Sequence, residues 1–121
     1  MLEMMEIDID NAIAFRIAGK VTEDDMSVVL NAAKLKIEQY GNIVFLEQID
    51  SFGGIELAAI VAEFKYLFDV GMGNISKVAV VSDKKWLKNI ISIEDKIFRN
   101  IKIRSFSIDD RDSALEFLKA P

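Results

Sequence analysis

The sequence predicts an α/β fold: a β-hairpin, then strands and helices alternating to the end in the order ββαβαβαβα. Three observations carry that prediction. The first forty or so residues open with two stretches of period-two alternation. Three short apolar runs follow, at 42–49, 77–83 and 101–106, each bounded by polar or glycine-containing turns. Between and after them lie longer segments with the 3.6-residue repeat of packed helices. Strands separated by helices call for parallel pairs and right-handed crossovers, which makes the sheet mostly parallel behind its opening hairpin.

Each element has a local reason. Met5–Asp10 and Ala12–Ala18 alternate, and Asp10-Asn11 can make the turn between them. In the second run Ile13, Phe15 and Ile17 share one face and Ala12, Ala14, Arg16 and Ala18 the other, and Gly19 ends it. Thr22, with Glu23 to Asp25 behind it, supplies an N-cap and an acidic first turn. The helix it starts runs to about Tyr40 on a stripe of Met26, Val29, Leu30, Ala33, Ile37 and Tyr40, with Gly41 placed to cap its end. Asn42–Ile49 is the third strand, and Ile55 to about Val70 a second helix closed by Gly71. Lys77–Asp83 is a buried strand, Lys84 to about Phe98 a third helix, and Ile101–Phe106 the fifth strand. Asp109 or Asp110 caps a last helix through Leu118.

Composition bounds the function. The 121 residues make one domain, 1–121, of globular character, at 51% hydrophobic and 29% charged. Wholly apolar runs stop at six residues, far short of the roughly 20 a spanning helix needs. Met1–Asp10 carries four acids and no base, the wrong charge for a secretory or organellar signal. With no cysteine there is no disulfide, redox motif or thiolate metal site, which fits a cytoplasmic location. With no histidine, a catalytic triad, a His-ligated zinc and a His phosphocarrier are all excluded. Carboxylate or lysine chemistry stays open in principle, but no convergent pair of carboxylates stands out. The expectation is a non-enzymatic protein without cofactor or metal.

The net charge of −5 is unevenly spread. Residues 1–60 hold four bases against eleven acids, whereas residues 77–104 hold eight bases against three acids. Overall acidity argues against a nucleic-acid partner, which needs a basic footprint.

Four stretches together resemble the SpoIIAA-like proteins, bacterial relatives of the STAS domain (sulphate transporter and anti-sigma factor antagonist). They are GKVTEDD opening the first helix, FLEQIDSFGGIELAAIVAEFKY across the third strand and second helix, KVAVVSDKKW across the fourth strand, and the closing SFSIDDRDSALEFL. Their order and spacing over nearly the whole chain carry the resemblance. It implies a five-stranded sheet in sequential strand order with helices mainly along one face. The weak Ala12/Ala14/Arg16/Ala18 face agrees, since it does not demand a full covering layer.

The loop QIDSFGGIEL, Gln48 to Leu57, is where the STAS phosphoswitch would lie. That switch is an Asp-Ser-Ser-Gly signature whose second serine takes the phosphate. Here the match is Asp50-Ser51-Phe52-Gly53, so Phe52 stands at the acceptor position and a phenyl ring cannot be phosphorylated. Ser51, one residue away, is the fallback acceptor. A triphosphate-binding loop is excluded for want of the Gly-Lys-Ser/Thr that follows one. The plain reading is a tight turn, with Phe52 closing over the core.

The apolar surplus is the most unusual feature. Leu57, Ile60, Val61, Phe64, Leu67 and Phe68 form the stripe a packed second helix needs. Ile55, Ala59, Ala62, Tyr66 and Val70 form another, within roughly 80° of one another. The third helix pairs a wide apolar face around Trp86 with Lys84, Lys85 and Lys88 at its N-terminal end, where a helix dipole favours acids. Trp and lysines beside apolar surface are what an interfacial helix offers a membrane.

These readings point to a binding or regulatory domain taking an apolar or lipid-like ligand, or an anionic membrane surface, between helices two and three. Phe52, Tyr66, Lys84, Lys85, Trp86 and Lys88 are its candidate residues. The related fold of lipid-binding CRAL-TRIO domains supports this by analogy alone. A homodimer would cover the second stripe, and peripheral attachment would place a cytoplasmic protein at the membrane. The alternative is a protein-interaction regulator of the anti-sigma factor antagonist type.

Overall fold

The computed structural model describes residues 1–52, 74–83 and 102–121, Ser51 and Phe52 by backbone alone. Its centre is a five-stranded mixed sheet in the order β1-β2-β3-β4-β5. The strands are β1 Leu2–Met5, β2 Ala12–Gly19, β3 Ile43–Phe52, β4 Ile75–Ser82 and β5 Lys102–Ser107. β1 pairs antiparallel with β2, and the β2–β3, β3–β4 and β4–β5 pairs are parallel. Two helices are described, α1 (Glu23–Tyr40) and a C-terminal helix (Arg111–Lys119) entered through a 3₁₀ turn at Ile108–Asp110. The expected second and third helices, 55–70 and 84–98, lie outside the described residues.

The alternation of β2 splits the core in two. Ile13, Phe15 and Ile17 join Phe45, Ile49, Val78 and Val80 on one face, against Met26, Val29 and Ala33 of α1. Phe15 and Phe45 meet edge to face at 6.1 Å, the geometry that aromatic quadrupoles favour. α1 begins as its sequence dictates. The Thr22 side chain accepts from the Asp25 N–H while the Asp25 carboxylate accepts from the Thr22 N–H, a complete capping box. It ends at Gly41, whose φ of 84° only glycine adopts freely and whose N–H bonds to the Ile37 carbonyl.

On the other face Ala12 and Ala14 continue into Val44, Leu46, Ala79, Val81 and Phe106, and Ala114 and Leu118 of the C-terminal helix cover them. Helices were expected mainly on one face; the two that are described lie one on each. The physical reason is that the alanines of β2 are small but their neighbours in β3 and β4 are not. The row they start is therefore apolar enough to need a lid.

Two strand boundaries also differ from expectation. The first strand is Leu2–Met5, not Met5–Asp10. Residues 6–11 form the connection, turned by Ile9 N–H to the Ile7 carbonyl and Ala12 N–H to the Ile9 carbonyl. Their alternation persists because Ile7 and Ile9 anchor that connection onto the second core. The third strand runs past Ile49 to Phe52, because a register shift between Ile17 and Ala18 lets Ser51 and Phe52 pair with Ala18 and Gly19. The Asp50-Ser51 pair is therefore strand, not turn.

Lys77 shows how one residue holds an element. It is buried on β4, and its ammonium donates to the carbonyls of Phe117 at 2.9 Å and Ala120 at 2.5 Å. These lie in and just past the last turn of the C-terminal helix, whose free carbonyls attract a cation. The ammonium also sits 5.1 Å from the Phe117 ring centre.

Candidate functional site

Three parallel pairs bring the carboxyl ends of β2, β3, β4 and β5 to one edge of the sheet. In open α/β sheets that edge is where ligands bind, because the loops leaving it are free to vary. Four features of this chain meet there: the start of α1, the Asp50-Ser51-Phe52 end of β3, the Ser82-Asp83 end of β4 and the Ser107 end of β5.

A polar row crosses the sheet at this edge. Glu3, Arg16 and Gln48 are register partners on β1, β2 and β3. The Arg16 Nη2 lies 3.1 Å from the Glu3 carboxylate and its Nε 3.5 Å from that of Asp50. The Gln48 amide donates to the other Asp50 oxygen at 3.0 Å. Arg16 Nε is buried without a hydrogen bond, so the Asp50 contact is ionic only. The arrangement fixes Asp50, the residue before Ser51, from two sides. With one arginine against two carboxylates, partly exposed, it is a positioning network with modest energy, on the order of 1 kcal/mol per pair at most.

The end of β4 is tied to β3 three residues before β3 ends. Ser82 is fully buried, and its hydroxyl donates to the Ile49 carbonyl at 2.8 Å. Ile49 and Ser82 are also register partners. The chain therefore leaves these two neighbouring strands at the same edge of the sheet, β3 three residues beyond the level of Ser82.

The described residues offer little that looks like acid–base machinery. Among the described residues the one resolved pKa perturbation is Asp25, lowered chiefly by the hydrogen bond from the Thr22 backbone N–H, with burial opposing it. That is a helix cap, a structural cause. No group of three potential metal ligands occurs among the described residues. No described helix is long and apolar enough to cross a membrane.

Of the residues singled out from sequence, Ser51 and Phe52 lie at the carboxyl end of β3, backbone only. Tyr66, Lys84, Lys85, Trp86 and Lys88 lie outside the described residues. The Glu3–Arg16–Gln48–Asp50 row was missed by sequence reasoning. Its signal was present: Arg16 is the single charge on the alanine face of β2, and Gln48 and Asp50 continue the period of Val44 and Leu46. Lys77 was counted with the basic segment, yet it is committed to the C-terminal helix.

A family model described as SpoIIAA-like matches residues 12–119, from the start of β2 to the end of the C-terminal helix. No curated protein and no solved structure matches the chain significantly.

Proposed function

The chain belongs to the SpoIIAA-like family, and on that premise we propose that it is a non-enzymatic binding and regulatory domain whose partner surface lies at the carboxyl edge of the sheet. The partner is an apolar or lipid-like molecule, or an anionic membrane surface, held between segments 55–70 and 84–98. The observation that supports this is the parallel pairing of β3 and β4, tied at Ile49 and Ser82, so that the chain leaves both strands at the same edge of the sheet. Parallel strands need crossovers of a dozen or more residues, usually helical, and 53–74 and 83–101 are long enough to supply them. The full order is then ββαβαβαβα, mostly parallel.

Two features of the sequence support a surface there. The Ile55/Ala59/Ala62/Tyr66/Val70 stripe exceeds what one packed face requires. Lys84, Lys85, Trp86 and Lys88 follow within six residues of Ser82, so the chain itself keeps them near this edge. A homodimer through the stripe is the form that leaves least apolar surface bare.

Native mass spectrometry of freshly purified protein tests the reading. A dimer or a retained apolar molecule is expected. A bare monomer that also fails to sediment with anionic vesicles at low salt would remove it. Family membership favours a second reading, a protein-interaction regulator of the anti-sigma antagonist type, in which the Arg16–Asp50 network would position Ser51. Stoichiometric phosphate on Ser51 after incubation with an anti-sigma kinase would favour that reading.

A further inference from the structure

The first helix is apolar on a flank that its core does not use. Met26, Val29 and Ala33 pack on the sheet. Val28, Ala32 and Leu35 form a second row, within roughly 60° of one another at about 100° per residue. Leu35 is 67% and Val28 53% exposed, so the row is open surface and not core. Ala32, small and set between them, lets a neighbouring helix approach closely. From Val28 to Gln39 the flank is about 16 Å long, the rise of three helical turns.

A groove of about 520 Å³ runs beside this row, between the second half of α1 and residues 4–10. Leu35 and the exposed Tyr40 stand on its helix side, and the half-buried Met4, Met5 and Ile7 on the other. Methionine suits a surface that receives a helix, because its side chain adapts to the shape set against it. Acids border the groove. The exposed Glu6 and Asp10 belong to its lining, and the exposed Asp24 lies one turn before Val28 on the same flank. Two lysines of α1 lie close in sequence. The Lys36 ammonium is engaged, donating to the Asp10 carbonyl at 2.6 Å and lying 5.5 Å from the centre of the Tyr40 ring. Lys34 stands roughly 130° around the helix from the row.

We infer that this groove receives a basic amphipathic helix of a partner protein, its apolar side on Val28, Ala32 and Leu35 and its cationic side chains beside Asp24, Glu6 and Asp10. Helix-in-groove recognition uses apolar anchors at i, i+4 and i+7, and α1 presents the same spacing in return. An anionic leaflet is the wrong occupant, because the bordering acids repel it. The groove lies toward the amino ends of β2 and β3 and does not depend on the reading given for the carboxyl edge.

The test is titration of the ¹⁵N-labelled full chain with a leucine–lysine peptide of about four helical turns, its leucines at i, i+3, i+4 and i+7. It should bind saturably with a Kd below about 100 μM at low salt, shifting the amides of Met4, Met5, Ala32, Leu35 and Tyr40. A scrambled peptide of the same composition, and one with glutamate for lysine, should each bind at least about tenfold more weakly. Binding should weaken at least about tenfold between 0.05 and 0.5 M salt. Val28→Gln/Leu35→Gln, on exposed positions, should lose at least about tenfold in affinity. Glu6→Gln/Asp10→Asn should lose about fivefold, and Asp109→Asn/Asp112→Asn, the same change of charge on exposed acids elsewhere, should lose less than about twofold. Equal binding of either control peptide, no saturation, salt-independent affinity, or equal losses in the two neutralised variants would each overturn the inference. So would full affinity in Val28→Gln/Leu35→Gln, or shifts confined to other amides. Concentration-dependent shifts of the same amides without peptide would make a second copy the occupant and overturn it too.

Discussion

At the scale of single residues, two side chains whose ordinary place is the surface hold helix ends. Lys77 satisfies carbonyls at the end of the C-terminal helix that would otherwise lose their partner. Lys77→Met keeps the length and apolar stem but removes the donor, so it should cost about 1–3 kcal/mol, read as a lower urea midpoint with an unchanged slope. Asp25 holds the other helix at its start. Its carboxyl is lowered in the folded state, so the stability it contributes is present above the unfolded pKa and lost as pH falls through the folded one. Thermal stability should therefore rise with pH between about 2 and 4. Asp25→Asn, which cannot titrate, should flatten part of that rise, and an unchanged profile would separate the cap from the pH response. Ser51 belongs to this scale too. It lies within β3, paired with Ala18, and Phe52 occupies the STAS acceptor position. Intact-mass analysis after kinase treatment should show no stoichiometric phosphate on it.

Elements are decided by how local signals survive their surroundings. Gly41 ends α1 with a φ of 84°, and a Cβ there would meet nothing within 4 Å. The cost of Gly41→Ala is thus conformational alone, about 1–2 kcal/mol by chemical denaturation. Thr22, Gly41, the face pattern of β2 and the buried run of β4 were all legible in the sequence, because each is set by neighbours within a few residues. The first strand was not, because Ile7 and Ile9 imitate strand alternation while anchoring a loop. Nor was the end of β3, since its last two residues pair only by virtue of a register shift in another strand. The lid on the alanine face was hidden for a similar reason. Ala12 and Ala14 predict little burial alone; Val44, Leu46, Ala79 and Val81, brought beside them by pairing, supply it. At the candidate site Arg16 was visible as an oddity, but Glu3 and Asp50 reach it from strands whose limits the pattern misplaced.

For the whole molecule, the asymmetry of charge makes a prediction about membranes. Lys84, Lys85 and Lys88 follow β4 at the carboxyl edge, and each cation near an anionic leaflet contributes about 1 kcal/mol. The remaining acidity opposes them, so vesicle sedimentation should show weak binding at low salt that disappears near about 0.5 M, where screening is short-ranged. Lys84→Glu/Lys85→Glu/Lys88→Glu should abolish it in a chain that still folds; binding unchanged in that variant would acquit the segment. The order of the sheet has a consequence of another kind, in time. Strands lie in space as they leave the ribosome, so each new one finds its partner already made, after closures of similar length from Ala12 to Val44, Leu46 to Ala79 and Lys77 to Lys102. The face bearing Ala12 and Ala14 is different. Ala12 and Ala14 begin it early, yet the Ala114 and Leu118 that cover it follow far later in the chain. A nascent chain that has made β3 and β4 but has not reached residue 114 therefore lacks the described cover of that face, and a ribosome stalled there is expected to engage chaperones more than one stalled beyond Leu118.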